Sequence, residues 1–142
     1  MRLTALGLCI ALCGCAAEPP FTGKPVREGR LANGDAYRDY SRQPHGYWRL
    51  VYAPDGSVRG AQDLHTEQNF RNLKAGMTRS EVEEVVGVNS LGKAAYANGT
   101  TSWTYRYRDV GIWKLLHVTF DREGRMLRYE TQWDPNVYSK KR

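Results

Sequence analysis

The sequence predicts an α+β domain: two short helices packed on one face of a small antiparallel sheet, with an extra β-hairpin on the N-terminal side. Three observations carry this. Thr78 and Glu81 form a Thr-x-x-Glu capping box ahead of Val82, Val85 and Val86, which marks a helix start. Three later segments alternate apolar and polar residues with period two, the pattern of an antiparallel sheet buried on one face. An aromatic-rich run from Gly46 to Ala53 ends in Pro54-Asp55-Gly56, a turn sequence in which Pro sets φ, Asp bonds its neighbours and Gly accepts positive φ.

The chain opens MRLTALGLCIALCGCAAEPP. Its apolar run, Leu3 to Gly14, is too short for a bilayer span, which needs about 20 residues, and suits a signal-peptide core. With Arg2 in front and Leu12-Cys13-Gly14-Cys15 behind, the segment resembles a bacterial lipoprotein signal peptide. The expected cut then falls before Cys15, whose sulfur takes the acyl chains. The alternative is an ordinary secretory signal cut after Ala17. The three cysteines are Cys9, Cys13 and Cys15, so the mature domain keeps no free thiol and can form neither an internal disulfide nor a thiolate metal site. Loss of Arg2 lowers the formal net charge of +6 by one, leaving a mildly basic chain. The cluster Lys140, Lys141, Arg142 reads as a solvated surface or as a contact for anionic lipid or peptidoglycan. An exported chain of this kind is not expected to bind nucleic acid.

Residues 1–14 are thus the signal peptide, 15–36 the lipidated Cys and a flexible tether, 37–134 the domain and 135–142 a basic tail. The tether is rich in Pro, Gly and charge; some 20 such residues reach roughly 25 Å. Ser57 to Leu64 returns as the second strand of the hairpin. Thr66 caps a first helix carrying Phe70 and Leu73, Gly76 supplies a left-handed turn, and the capping box starts a second helix that Gly87 ends. Such a pair also occurs in DNA readers, but Glu81, Glu83 and Glu84 on the second helix would repel phosphate. The later strands carry Trp103, Tyr105 and Tyr107; then Leu116, Val118 and Phe120; then Leu127, Tyr129, Thr131 and Trp133. Asn98-Gly99 and Asp121 to Gly124 supply turns. Residues from Asp134 onward read as a frayed tail.

A half repeat runs through the chain at an offset of 68 residues. Tyr37-Arg38 falls on Tyr105-Arg106, and Leu50, Tyr52, Asp55, Gly56 and Val58 fall on Val118, Phe120, Glu123, Gly124 and Met126. The first copy has no helix pair before it. Two ordinary hairpins with shared turn chemistry would look the same.

No catalytic constellation stands out. His45, His65 and His117 show no metal-ligand spacing and read as surface or strand-face histidines. Ser90, in Gly87-Val88-Asn89-Ser90-Leu91-Gly92, misses the nucleophile-elbow spacing by one residue and follows a helix where that motif needs a strand. No cofactor or metal is expected. Nine tyrosines and four tryptophans exceed the needs of one small core. Tyr107, Trp113 and Trp133, rimmed by Arg106, Arg108 and Arg128, are the candidates for an exposed protein-binding patch.

The ordered series Leu73-Lys74-Ala75-Gly76-Met77-Thr78, Val82, Val86-Gly87, Trp103-Thr104-Tyr105, then Val118-Thr119-Phe120-Asp121 and Gly124 resembles the SmpA/OmlA domain of BamE-like outer-membrane lipoproteins, over residues 64–131. Val88-Asn89 stands where that family usually has a Pro, and the extra hairpin is atypical of its simplest members. The resemblance implies two helices on a three-stranded sheet, an outer-membrane anchor facing the periplasm, and a non-catalytic scaffold that supports β-barrel assembly or envelope integrity. Its implied partner is an envelope protein, the β-barrel assembly complex being the candidate. The same plan resembles β-lactamase-inhibitor-like domains, so an inhibitor-like or ligand-sequestering lipoprotein is the alternative. A cell-wall enzyme is the third reading. Ala16, where Asp would favour inner-membrane retention, points outward for a Gram-negative source. The Cys15→Ala variant is expected to remain unprocessed or soluble. Membrane fractionation with intact-mass measurement checks this.

Overall fold

The computed structural model describes residues 21, 23–42, 46–88 and 91–138. Cys15, His45, Ser90 and the Lys140–Arg142 cluster lie outside the described residues. The fold is α+β, with two four-stranded antiparallel meanders. The first sheet contains β1 (Arg27–Arg30), β2 (Ala36–Ser41), β3 (Tyr47–Tyr52) and β4 (Val58–Asp63). The helices α1 (Glu67–Phe70) and α2 (Arg79–Val86) follow. The second sheet contains β5 (Gly92–Ala95), β6 (Thr101–Asp109), β7 (Ile112–Phe120) and β8 (Met126–Trp133), and α3 (Pro135–Tyr138) comes last.

Several expectations shift at this point. The N-terminal hairpin is β3 and β4 of a complete sheet. Part of the expected tether is folded: β1 pairs with β2 from Arg27–Asp39 to Arg30–Ala36. Phe21 is also packed down, with its ring on Tyr40 at 5.8 Å and Trp48 at 5.5 Å. A segment with no apolar period can still form an edge strand when a neighbouring strand supplies the hydrogen bonds. The expected frayed tail begins with α3. Asp134 is buried, and its backbone N–H donates to the Trp113 carbonyl at 3.0 Å.

The capping box forms as the sequence implies. The Thr78 N–H donates to Glu81 Oε2 at 2.7 Å, and the Glu81 N–H donates to Thr78 Oγ1 at 3.2 Å. Gly76 has φ +90°, and its N–H donates to the Met126 carbonyl, which ties the interhelical turn to β8. Val82 and Val86 then sit in a core with Phe70, Trp103, Tyr105, Leu116, Val118, Phe120 and Met126. A β-bulge between Thr119 and Phe120 pairs Phe120 with Met126. Met126 therefore fills the position expected for Leu127, which is exposed.

The half repeat extends to the whole sheet. β3 and β4 match β7 and β8 at offset 68, and both bulges fall at the same place, Val51/Tyr52 and Thr119/Phe120. β1 and β2 match β5 and β6 at offset 65: Arg27 pairs with Asp39 as Gly92 pairs with Thr104. The connecting turns agree in detail. Leu31 N–H donates to the Asp35 carbonyl as Tyr96 N–H donates to the Thr100 carbonyl. Asn33 and Asn98 each accept from the backbone N–H two residues on. The three-residue slip comes from the longer β6–β7 hairpin, in which eight residues separate Arg106 from Leu115 where five separate the matching Ser41 and Tyr47. It moves Tyr37 onto Ser102 and Tyr40 onto Tyr105, which corrects the sequence pairing of Tyr37 with Tyr105.

α2 joins the sheets. Its apolar stripe lies on the second sheet, and its C-terminal end abuts the first. A helix leaves its last four carbonyls without intrahelical partners, and a buried end needs donors from elsewhere. Here all four have one. The Gly87 N–H donates to Glu83, Arg49 Nη1 donates to Glu84 at 2.9 Å, Asn69 Nδ2 to Val85 at 2.7 Å and His65 Nε2 to Val86 at 2.9 Å. Arg49 is held by a bidentate pair with buried Asp39, at 2.8 and 2.9 Å. His65, expected at the surface or on a strand face, is buried in the segment between β4 and α1. Its ring stacks on Tyr47 of the first sheet at 5.3 Å and meets the edge of Tyr105 of the second at 5.7 Å.

Gly87 has φ +76°, and a Cβ there would stand 2.2 Å from Tyr47 Cε1. Gly87→Ala is expected to cost about 2–4 kcal/mol, from ring displacement and left-handed strain together. Urea unfolding with an unchanged m-value checks it. Burial holds the His65 imidazole below its ordinary pKa. The unfolded chain then binds a proton that the folded chain refuses once pH drops below about 6.5, so stability is full above that pH and declines below it until the folded-state pKa is passed. The decline attributable to His65 is at most about 1.4 kcal/mol per pH unit. Comparing thermal unfolding of wild type and His65→Gln across pH 5–8 isolates it.

Candidate functional site

β6 and β7 form the longest hairpin, and its far end carries the least ordinary surface of the described residues. Asp109 pairs with Ile112, which leaves Val110 and Gly111 as a two-residue turn. Val110 has φ +45° and Gly111 φ +82°. Hairpin turns of this hand favour Asn-Gly or Asp-Gly, and a β-branched residue at positive φ is strained. Val110 is also 94% exposed, so its side chain gains no packing in return. Ile112, Trp133, Val137 and Tyr138 are exposed around it. Trp133 and Tyr138 lie 6.1 Å apart, and the Tyr138 hydroxyl accepts from the Trp113 N–H at 2.9 Å. α3 is thereby pinned beside the hairpin.

Behind this tip runs an arginine ladder. The alternation of β6 puts Ser102, Thr104, Arg106 and Arg108 on the face away from α2, opposite Thr119, His117, Leu115 and Trp113 of β7. Arg106 lies over the Trp113 ring at 4.5 Å from its centroid and Arg108 at 5.5 Å. Such contacts hold a planar cation on an aromatic face while leaving its edge free for hydrogen bonds. Arg106 Nε is also 2.8 Å from Asp134 Oδ2, the buried carboxylate at the start of α3. Further along, Thr104 Oγ1 is 3.0 Å from His117 Nδ1, and Gln132 Nε2 is 2.9 Å from His117 Nε2. With the Gln132 amide donating, the ring proton sits on Nδ1 and is given to Thr104. A groove of about 410 Å³ opens beside them, lined by Tyr96, Ser102, Thr119, Arg128 and Glu130 among others.

Four of the six residues expected to bind a partner therefore share this outer face: Arg106, Arg108, Trp113 and Arg128. Trp133 lies across from Lys114, on the register of the opposite face, but runs past the helices and is 65% exposed. Tyr107 departs from the expectation. It is 1% exposed, its ring meets Phe70 edge-on at 5.0 Å, and its hydroxyl donates to Glu67 Oε1 at 3.0 Å. Strand parity explains the split, since odd positions of β6 face the helices and even positions face outward. Hydrogen bonding to Lys114 and Tyr107 lowers the Glu67 pKa, while bonds to Asp109 and Glu67 raise that of Lys114. This cluster fastens α1 to the hairpin. Val110, Ile112, Val137 and Tyr138 are not among the residues expected from sequence. Val in the turn position before Gly111 was the available signal.

Among the described residues no group of three His, Cys, Asp or Glu side chains is placed to hold a metal ion, and no helix is long and apolar enough to cross a membrane.

Comparison with known proteins gives little beyond this. No family model matches the chain, and no curated protein matches it. Among solved structures the chain is similar to one described as a putative osmotically inducible lipoprotein, OsmE, with 19% identity, 52% of this chain and 85% of that chain covered, and a TM-score of 0.42.

Proposed function

We propose that this chain is a lipid-anchored envelope protein whose domain binds another protein and performs no chemistry of its own. In this reading Cys15 carries the anchor in the outer membrane, the domain faces the periplasm, and the protein serves as an accessory scaffold in β-barrel assembly or envelope integrity. The observation that supports it is the exposed apolar tip, Val110, Ile112, Trp133 and Tyr138, bordered by the Arg106–Trp113–Arg108 stack. Aromatic anchors with arginine rims are enriched at protein interfaces, and an exposed Val at positive φ carries a strain that its own packing does not offset. The lipobox resemblance supports the anchor.

The projecting Val110 turn also suits an inhibitor-like protein that inserts a loop into a soluble enzyme, which is the second reading.

A gentle detergent pull-down from membranes, with wild type beside Val110→Asp and Trp113→Ala, tests both. The scaffold reading expects recovery of β-barrel assembly components, reduced at least tenfold by either variant. Recovery of one soluble enzyme, with loss of that enzyme's activity, supports the second reading instead. Recovery that ignores both variants counts against this surface.

A further inference from the structure

The two sheets share one register plan, yet among the described residues only the first has this polar face covered. In the first sheet that face carries the cross-strand pair Asp39–Arg49, and it clasps the last turn of α2. Arg49 donates to the Glu84 carbonyl at 2.9 Å, and Arg27 pairs with the Glu84 carboxylate. The matching positions in the second sheet are Thr104 and His117. They too bond across the strands, at 3.0 Å, on the outer face beside the open groove.

We propose that this outer face docks the C-terminal turn of an acidic amphipathic helix from a partner protein, in the way the first sheet docks α2. The inference rests on the protein-binding reading above and names its partner class. One further observation favours a helix end of that charge. The face presents the exposed Arg128, with Arg106 and Arg108 along the same side, against the single carboxylate of Glu130 on these strands' outer positions. Cations suit the partial negative charge of a helix C-terminus and the carboxylates of an acidic last turn. The helix does not come from a second copy of this chain, because the α2 carbonyls are already bonded by Arg49, Asn69 and His65.

The test uses the full-length chain in detergent micelles. The probe is a fluorescein-labelled peptide copying residues 78–88, held helical by a staple between positions 79 and 83. Fluorescence anisotropy is expected to show saturable binding with Kd below about 1 mM. Arg128→Glu and His117→Glu should each weaken it at least tenfold, whereas Arg38→Glu, on the outer face of the first sheet, should leave it unchanged. Circular dichroism confirms that each variant is folded; Arg128 is exposed, so its result stands if His117→Glu misfolds. A scrambled peptide of the same composition should bind at least tenfold more weakly. Absence of saturation at millimolar peptide, equal binding of the scrambled peptide, or indifference to Arg128→Glu overturns the proposal. A membrane partner lost with Arg128→Glu while the peptide fails overturns the helix and leaves protein binding standing. A partner indifferent to Arg128→Glu, Val110→Asp and Trp113→Ala overturns both.

Discussion

The buried C-terminus of α2 is the constraint on which the rest of this molecule depends. Its last four carbonyls all take protein donors at the junction between two sheets, and the Val86 carbonyl is bonded in a buried setting. Leaving that one unpaired would cost about 1–3 kcal/mol. The donors come from three places: Arg49 in the first sheet, His65 and Asn69 in the segment between the sheets, and the Gly87 backbone. Asn69 is fully used, since its Nδ2 also donates to the Leu64 carbonyl and its Oδ1 accepts from Gln62 and Asn72. The first sheet thus meets the second through hydrogen bonds to a helix end and through the Tyr47–His65–Tyr105 ring contacts. That makes the joint directional and intolerant of small shifts.

The buried charges follow from the same constraint. Asp39 is fully buried and exists to hold Arg49, which exists to cap α2. Removing one member of such a pair strands the other, which is why breaking a buried ion pair costs more than the pair contributes. His65 performs the same capping role as a neutral ring, and its burial between the face of Tyr47 and the edge of Tyr105 disfavours its charged form.

The outer end of the second sheet obeys different rules. There the chain spends conformational strain at Val110 and leaves apolar surface exposed at Ile112, Trp133 and Tyr138. The arginines stack on Trp113 and do not pair off fully with acids. The matching face of the first sheet, by contrast, holds a helix end through Arg49. One sheet plan therefore serves two ends, internal docking in the first copy and an open face in the second.

The sequence by itself determined the elements whose signals are local. The capping box at Thr78 and Glu81, the positive-φ turn at Gly76, the Pro54–Gly56 turn and the strand alternation around Trp103 and Val118 all follow from neighbours within a few residues. Arginines alternating with aromatics also imply one outward face, which Arg106, Arg108, Trp113 and Arg128 share. What the sequence could not determine were outcomes set by distant partners. β1 became a strand because β2 offered it hydrogen bonds, and Phe21 became buried because Tyr40 and Trp48 received it. Tyr107 shares the parity of Trp103 and Tyr105, so its face was legible in the alternation; only the fold decided that Phe70 and Glu67 of α1 would cover it. His65 looked like a surface histidine until a helix end twenty-one residues away needed its proton. Local propensity is written in adjacent residues; satisfaction of buried polar groups is decided only when the chain has folded back on itself.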